Sequence, residues 1–394
     1  MRTLCLIFLS LFFFESSFSQ DQINDFVRLA GKNYLEKHPN AVLAIGVIEK
    51  GEKYVFYLAG EKALQKPDEN SKFELGSFTQ VFTSILYAEL SVKGIVHADD
   101  SLQKYLPVNV PAPVYRPMLC HAYRSPEPSE PDYSTKNTPT FFKYTPYVCT
   151  PDTGMLPQPI LLCYLSTHTS GLPDYPSNLK KNAEGFAAYS ESDFYSWLKN
   201  FELTQPIGYE YRFSHSGISV LGSVLASKTK SSYAELFNKN LCEPLLMNNT
   251  GLMSQSVQVD LLNGSTEKNK KSKHAVYNFF TPASGAYSTL PDMVKFLGEN
   301  IGGDRDSLRE VLHYTHNPRL TNFGKNGEEH SIALGWNVDP LNNDNLNYVW
   351  QQGESDGFSV FFGFTETTYT GVVILSSSAD PVIEMGRKIL KKIN

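Results

Sequence analysis

Residues 73–107, FELGSFTQVFTSILYAELSVKGIVHADDSLQKYLP, decide how this chain is read. Gly76-Ser77 opens an amphipathic run in which Val81, Phe82, Ile85, Leu86 and Leu90 recur at helical spacing, and Gly94 is the expected stop. A Ser in the first turn of a buried helix is held rigidly among backbone N–H groups. The positive end of the helix dipole stabilises negative charge that develops there. Those are the requirements of a nucleophile, although a Ser at a helix start also serves commonly as an N-cap.

Working outward, the stretch resembles the opening of the serine β-lactamase and penicillin-binding-protein superfamily, the group of class C β-lactamases, DD-peptidases and related esterases. There a Ser-x-x-Lys motif opens a helix that leads to a Gly turn, an Asp-Asp pair and a Leu-Pro. Ser77, Gly94, Asp99-Asp100 and Leu106-Pro107 match; the Lys position is Gln80. Leu161 to Pro173, with His168 and Ser170-Gly171-Leu172-Pro173, is similar to a family segment in which the His shapes a turn. Pro244-Leu245, Thr250-Gly251, Ala283-Ser284-Gly285, Ser288-Thr289 and Asp292-Met293 extend the match. The resemblance runs from about residue 22 to about residue 389. It implies a β-lactamase/transpeptidase-like α/β (α+β) fold: an antiparallel sheet built from both chain ends, flanked by helices, plus a helical domain. It implies no cofactor.

The rest of the sequence bounds that reading. Arg2, the apolar run Leu4 to Phe14 and Ser17-Phe18-Ser19 have the form of a signal peptide over residues 1–19, too short to span a bilayer. Residues 20–394 are then one β-lactamase-related domain, exported to a periplasm or secreted, with no transmembrane span after cleavage. A net charge of −6 gives no reason to expect a nucleic-acid partner. Of five cysteines, Cys5 lies in the leader. Export permits disulfides among Cys120, Cys149, Cys163 and Cys242, and Cys120–Cys149 is preferred because these two bracket one irregular segment. Cys163 and Cys242 sit in apolar helical patterns, as core thiols do. Residues 107–160 form a proline-rich insertion that excludes continuous helix and central strand and reads equally as a lid, a binding surface or surface decoration.

A helix is predicted over 21–37 and a hairpin over 41–49 and 53–59. Further helices are predicted over 191–201, 217–228 and 232–241. Strands follow over 332–338, 347–352, 358–365 and 370–377, with a closing helix over 382–392.

The family's chemistry is implied by three motifs. Ser attacks a carbonyl, Lys and a Tyr from a Tyr-x-Asn motif handle its proton, and a His-x-Gly or Lys-Thr-Gly strand forms the opposite wall. Backbone N–H groups of the Ser and of the residue after that strand's Gly make the oxyanion hole. Here the Tyr position is Phe213 and the Asn position His215; the strand motif begins at Gln351 and keeps Gly353, which assigns Ser77 and Glu354 to the oxyanion backbone. The three proton-handling or charged positions are therefore Gln80, Phe213 and Gln351. An unassisted Ser is a poor nucleophile, and general acid–base help typically contributes ~10²–10⁴-fold. Ser–His is a sound replacement pair, with His215 as base and Gln80 orienting its imidazole.

Two functions follow as expectations. One is a divergent, weakly active serine hydrolase that acts on a small-molecule or peptide-like amide or ester through a Ser77 acyl-enzyme. The other is an inactive relative that binds a peptide-like or cell-wall-derived ligand in the same cleft, lined by Phe213, Gln351 and Gly353. Gly353-x-Ser355-x-Gly357 mimics a nucleophile elbow but precedes a β-rich run, so it reads as a hairpin turn. His313 and His316 lack a third ligand in the sequence, so no metal is expected. Lys268 to Lys273 reads as a solvated loop.

Overall fold

The computed structural model describes residues 20–122, 147–254, 259–303, 306–323, 329–341 and 346–394. The expected leader and the middle of the proline-rich insertion lie outside the described residues.

Eight antiparallel strands form the main sheet. They are β1 (Val42–Glu49), β2 (Glu52–Ala59), β3 (Leu320–Phe323), β4 (Glu329–Ile332), β5 (Asn337–Pro340), β6 (Asn347–Ser355), β7 (Phe358–Thr365) and β8 (Thr370–Ser376), in the spatial order β3-β4-β5-β6-β7-β8-β1-β2. The two chain ends meet at β8 and β1, where Leu43 pairs with Ser376 and Ile45 with Ile374. These strands are rich in Val, Ile and Phe because both sheet faces are covered. Along β1, Leu43, Ile45 and Val47 join one core with Ile23 and Val27 of α1 (Gln20–Lys37) and Ile389 and Leu390 of the closing helix Ile383–Ile393. The alternate residues Val42, Ala44 and Ile48 face the larger core that holds the remaining helices.

The same alternation positions the candidate site. On β6, Tyr348 and Trp350 belong to the core beneath α1, so Val349, Gln351 and Gly353 face the other side, toward the helical region. There α2 (Thr79–Val92) is buried on nearly every face. Beside it lie α3 (His215–Thr229), α4 (Leu290–Gly302) and α5 (Asp306–His316). Asp292, fully buried at the start of α4, accepts from Asn249 N–H (2.7 Å) and Thr250 Oγ1 (3.0 Å) and pairs with Lys295 (2.9 Å). One carboxylate thus ties together two segments that the sequence matched separately.

Some expectations require correction. Residues 332–338 are not one strand: the chain reverses between β4 and β5 through Ala333–Trp336, because Ala333 N–H donates back to Trp336 O. The helix expected over 232–241 is present, but it widens from α-helix at Tyr233–Phe237 to a π-helical turn over Asn238–Cys242. The described flanks of the insertion form two short ladders outside the main sheet, Val114–Tyr115 with Gln158–Pro159 and Met118–Ala122 with Tyr147–Pro151. Register puts Cys120 directly opposite Cys149. Cys163 and Cys242 are free thiols. Gly353 to Gly357 is the β6–β7 hairpin, with no helix after Ser355. No described helix is long and apolar enough to cross a membrane.

Candidate active site

Ser77 lies in a 3-10 turn, Gly76–Phe78, just ahead of α2. This corrects the expectation of a Ser in the first α-helical turn, and no side-chain cap closes either helix start. The turn is anchored on all sides. Leu75 N–H donates to Ala286 O (2.9 Å), and Thr79 Oγ1 donates to Gly76 O (2.6 Å) while accepting from Ala286 N–H (3.0 Å). Phe78, fully buried, packs against Phe362 (5.4 Å between ring centroids), Phe82 (5.6 Å) and Trp336 (6.1 Å).

Two glycines let this turn touch β6. Gly76 has φ +52°, and a Cβ there would lie 2.1 Å from Glu354 O; a Cβ on Gly353 would lie 2.1 Å from Leu75 O. Only bare backbone fits at both places. The product of that contact is a hydrogen bond from Glu354 N–H to Ser77 Oγ at 3.2 Å. A backbone donor on β6 is thus aimed at the Ser77 hydroxyl.

Gln80 makes no hydrogen bond to His215 among the described residues, where the sequence reading has it orient that imidazole. Its Oε1 is bonded to Nε2 of His168, a fully buried residue with φ +56°. Ser214 N–H donates to His168 Nδ1 (3.1 Å), so the proton sits on Nε2 and is donated to Gln80. Burial pushes the His168 pKa down to about 3, with the neighbouring His215 acting in the same direction. His168 is accordingly a neutral structural residue. Phe213 lies over it at 4.7 Å, an apolar ring at the position that motif register assigned to the Tyr.

His215 is held by a group that the sequence reading missed. Its Nδ1 lies 2.5 Å from Asp174 Oδ1, and its own backbone N–H donates to the same oxygen (3.2 Å). Burial raises the Asp174 pKa, but the hydrogen bond and charge of His215 outweigh it, and the carboxyl is held below its ordinary value. The imidazole is stacked on Tyr175 (4.5 Å, 11°) and meets Phe213 edge-on (4.8 Å). Its Nε2 has no hydrogen-bond partner among the described residues. The signal for Asp174 was available in Leu172-Pro173-Asp174-Tyr175, but only the fold brings it across 41 residues to His215.

Gln351 is engaged by its neighbours through both amide atoms. Its Nε2 donates to Gly335 O (2.9 Å) and its Oε1 accepts from Gln352 N–H (3.0 Å) and Asn337 Nδ2 (3.3 Å). Ser77, Gln80, Phe213, His215, Gln351 and Glu354 all line one cleft of about 620 Å³. Ser77 and His215 share that cleft without a hydrogen bond between them. The walls are aromatic, with Tyr175, Phe186, Tyr211 and Tyr277, and among the described residues the charged lining groups are Glu354 and Asp356, with no Lys or Arg. Burial pushes the phenols upward, Tyr211 to about 12 and Tyr175 and Tyr277 further, so none supplies a phenolate base near neutral pH. A larger recess of about 1350 Å³ beside Tyr233 and Tyr287 has neither His nor Cys in its lining.

Comparisons with known proteins bear on the fold and the family. The family model described as Beta-lactamase matches residues 32–391. The D-alanyl-D-alanine-carboxypeptidase/endopeptidase AmpH of Escherichia coli is 20% identical over 344 residues, covering 84% of this chain and 78% of that protein. A beta-lactamase of the same organism is 20% identical over 393 residues, covering 91% and 90%. Among solved structures, a class C beta-lactamase superposes with a TM-score of 0.73 at 18% identity, over 96% of this chain and 97% of that one. A beta-lactamase/D-alanine carboxypeptidase from Yersinia pestis gives 0.70 at 20% identity, over 95% and 98%. These structural likenesses establish the shared fold.

Proposed function

Because this chain belongs to the β-lactamase family, we propose that it is an exported, divergent serine hydrolase in which Ser77 attacks a small ester or amide carbonyl with His215 as its base. In this mechanism Ser77 Oγ adds to the carbonyl carbon while its proton passes to His215 Nε2. Asp174 holds the Nδ1–H and stabilises the imidazolium. The oxyanion accepts from the backbone N–H groups of Ser77 and Glu354. Collapse expels the leaving group, which takes the proton from His215. Water activated by the same imidazole then releases the acyl group from Ser77.

The observation that carries this reading is the meeting, in one cleft, of Ser77 against the Glu354 N–H (3.2 Å) and an Asp174-held imidazole whose Nε2 has no partner. Catalytic hydrogen bonds are often open before substrate arrives, so the lack of a Ser77–His215 bond is compatible with the role. The described lining favours neutral or cationic acyl groups: aromatic walls and two carboxylates, with no Lys or Arg among the described residues to receive a substrate carboxylate. Export rests on the form of residues 1–19.

A second reading, an inactive relative that binds a peptide-like ligand, is favoured by the locking of Gln80 onto His168. Steady-state turnover of matched neutral, cationic and anionic p-nitrophenyl esters by the wild type, Ser77→Ala and His215→Ala separates the two. Hydrolysis lost in both variants, with the anionic ester poorest, supports the hydrolase. Equal rates in the wild type and Ser77→Ala would overturn it.

A further inference from the structure

Far from the cleft, the C-terminal end of α5 meets the turn that joins β7 to β8. His313 and His316 occupy one face of α5, and Glu366 follows the last residue of β7, roughly 25 Å along that strand from the cleft end. His316 Nδ1 lies 2.5 Å from Glu366 Oε1, and His313 Nδ1 lies 3.1 Å from Glu366 Oε2. Two imidazole nitrogens thus converge on the two oxygens of one carboxylate. The histidine pair that lacked a third ligand in the sequence acquires one from 50 residues away.

Hydrogen bonding determines the state of the buried ring. Asn300, itself buried, donates Nδ2 to Phe296 O (2.8 Å), which turns its Oδ1 toward His316 Nε2 at 2.9 Å. That oxygen can only accept, so Nε2 carries a proton. Nδ1 is then left facing a carboxylate oxygen, and a bare lone pair there would be repelled. At 2.5 Å the two atoms share a proton; a metal ion would replace that proton, with Nδ1 and the carboxylate oxygen moved apart to admit it. The ring is enclosed by Phe364 (5.0 Å) and Trp336 (5.9 Å). A His anchored through its distal N–H to a buried oxygen is the usual arrangement behind a metal ligand.

We propose that His313, His316 and Glu366 form a site for a divalent transition-metal ion of the zinc class, which clips α5 to the β7–β8 turn. The candidate ligand atoms all lie within 4.8 Å of one another, so side-chain rotation brings them to about 2.0–2.2 Å from a common ion. Two imidazoles and a carboxylate suit Zn²⁺ in preference to Mg²⁺ or Ca²⁺. His313 and Glu366 are each about one third exposed, which admits water as the fourth ligand. Arg309 Nε reaches His313 Nε2 at 3.4 Å; metal at Nδ1 places the ring proton on Nε2, and Arg309, on the exposed side of the helix, turns out to solvent.

The test uses the full mature chain stripped with chelator and then titrated with Zn²⁺ by calorimetry and with Co²⁺ by visible absorption. Thermal unfolding is recorded with and without metal. The expected result is one ion per chain, the intense visible bands of four-coordinate Co²⁺ and a rise in Tm on adding Zn²⁺. All three should be lost in His313→Ala and in Glu366→Gln. His313 is partly exposed and outside the Asn300 network, so its variant should keep the fold. Absence of binding, or binding and bands unchanged in His313→Ala, would overturn the proposal.

Discussion

Replacing His168 by Asn probes the interior of the site through pH. Asn tolerates the left-handed backbone at φ +56°, but it is shorter than His and loses the bond to Gln80. At pH 7 the variant should be less stable by about 2–4 kcal/mol, from the lost buried hydrogen bond and the cavity. The more specific expectation concerns the slope. Folded His168 titrates near pH 3 because it is buried, whereas an unfolded His titrates at about 6.5. Between these values the unfolded chain holds a proton that the folded one does not, so stability rises with pH by at most about 1.4 kcal/mol per pH unit. The contribution is complete above the unfolded value and is lost as pH falls toward 3. Asn has no such proton, so the gap between wild type and variant should narrow by up to about 3 kcal/mol from pH 6.5 to pH 4.5. Urea unfolding followed by tryptophan fluorescence across that range measures the gap. A constant gap would refute the neutral, Gln80-bound His168 and the assignment of Gln80 built on it.

Other perturbations address the rest of the site. Gly353→Ala drives a Cβ to within 2.1 Å of Leu75 O and should cost about 3 kcal/mol or more in urea unfolding while slowing labelling of Ser77; a cost below about 1 kcal/mol would show that the turn and β6 are not in close contact. Asp174→Asn should leave stability nearly unchanged but slow labelling of Ser77 by a fluorophosphonate at least about tenfold, because His215 loses the group that sets its tautomer. A chromogenic cephalosporin should show little turnover, since the cleft lining has no Lys or Arg among the described residues for its carboxylate; efficient hydrolysis would count against the charge argument.

The parts of the fold legible in sequence were those written in local periodicity. The helix after Ser77, the hairpin across Lys50-Gly51 and the strand Phe358–Thr365 all follow from spacing and turn residues. Assembly of one sheet from both ends was legible because the apolar runs cluster at the two termini. The Ala333–Trp336 reversal was masked by apolar residues that read as a continuous strand. At the site, motif register located Ser77, Gln80, Phe213, His215 and Gln351, which now share one cleft. What register could not show is which polar group each would meet. Gln80 finds His168 across 88 residues, His215 finds Asp174 across 41, and His316 finds Glu366 across 50. Those encounters are tertiary, and no local pattern announces them. The aromatic walls were equally hidden, because Tyr175, Phe186 and Tyr277 come from separate loops and a short helix.

The most direct test of a rebuilt Ser–His site is intact-mass spectrometry of the purified mature protein treated with a fluorophosphonate, with Ser77→Ala and His215→Ala alongside. The account expects a single adduct on the wild type, absent from Ser77→Ala and strongly slowed in His215→Ala. No adduct on the wild type, or an adduct that persists without Ser77, would contradict it.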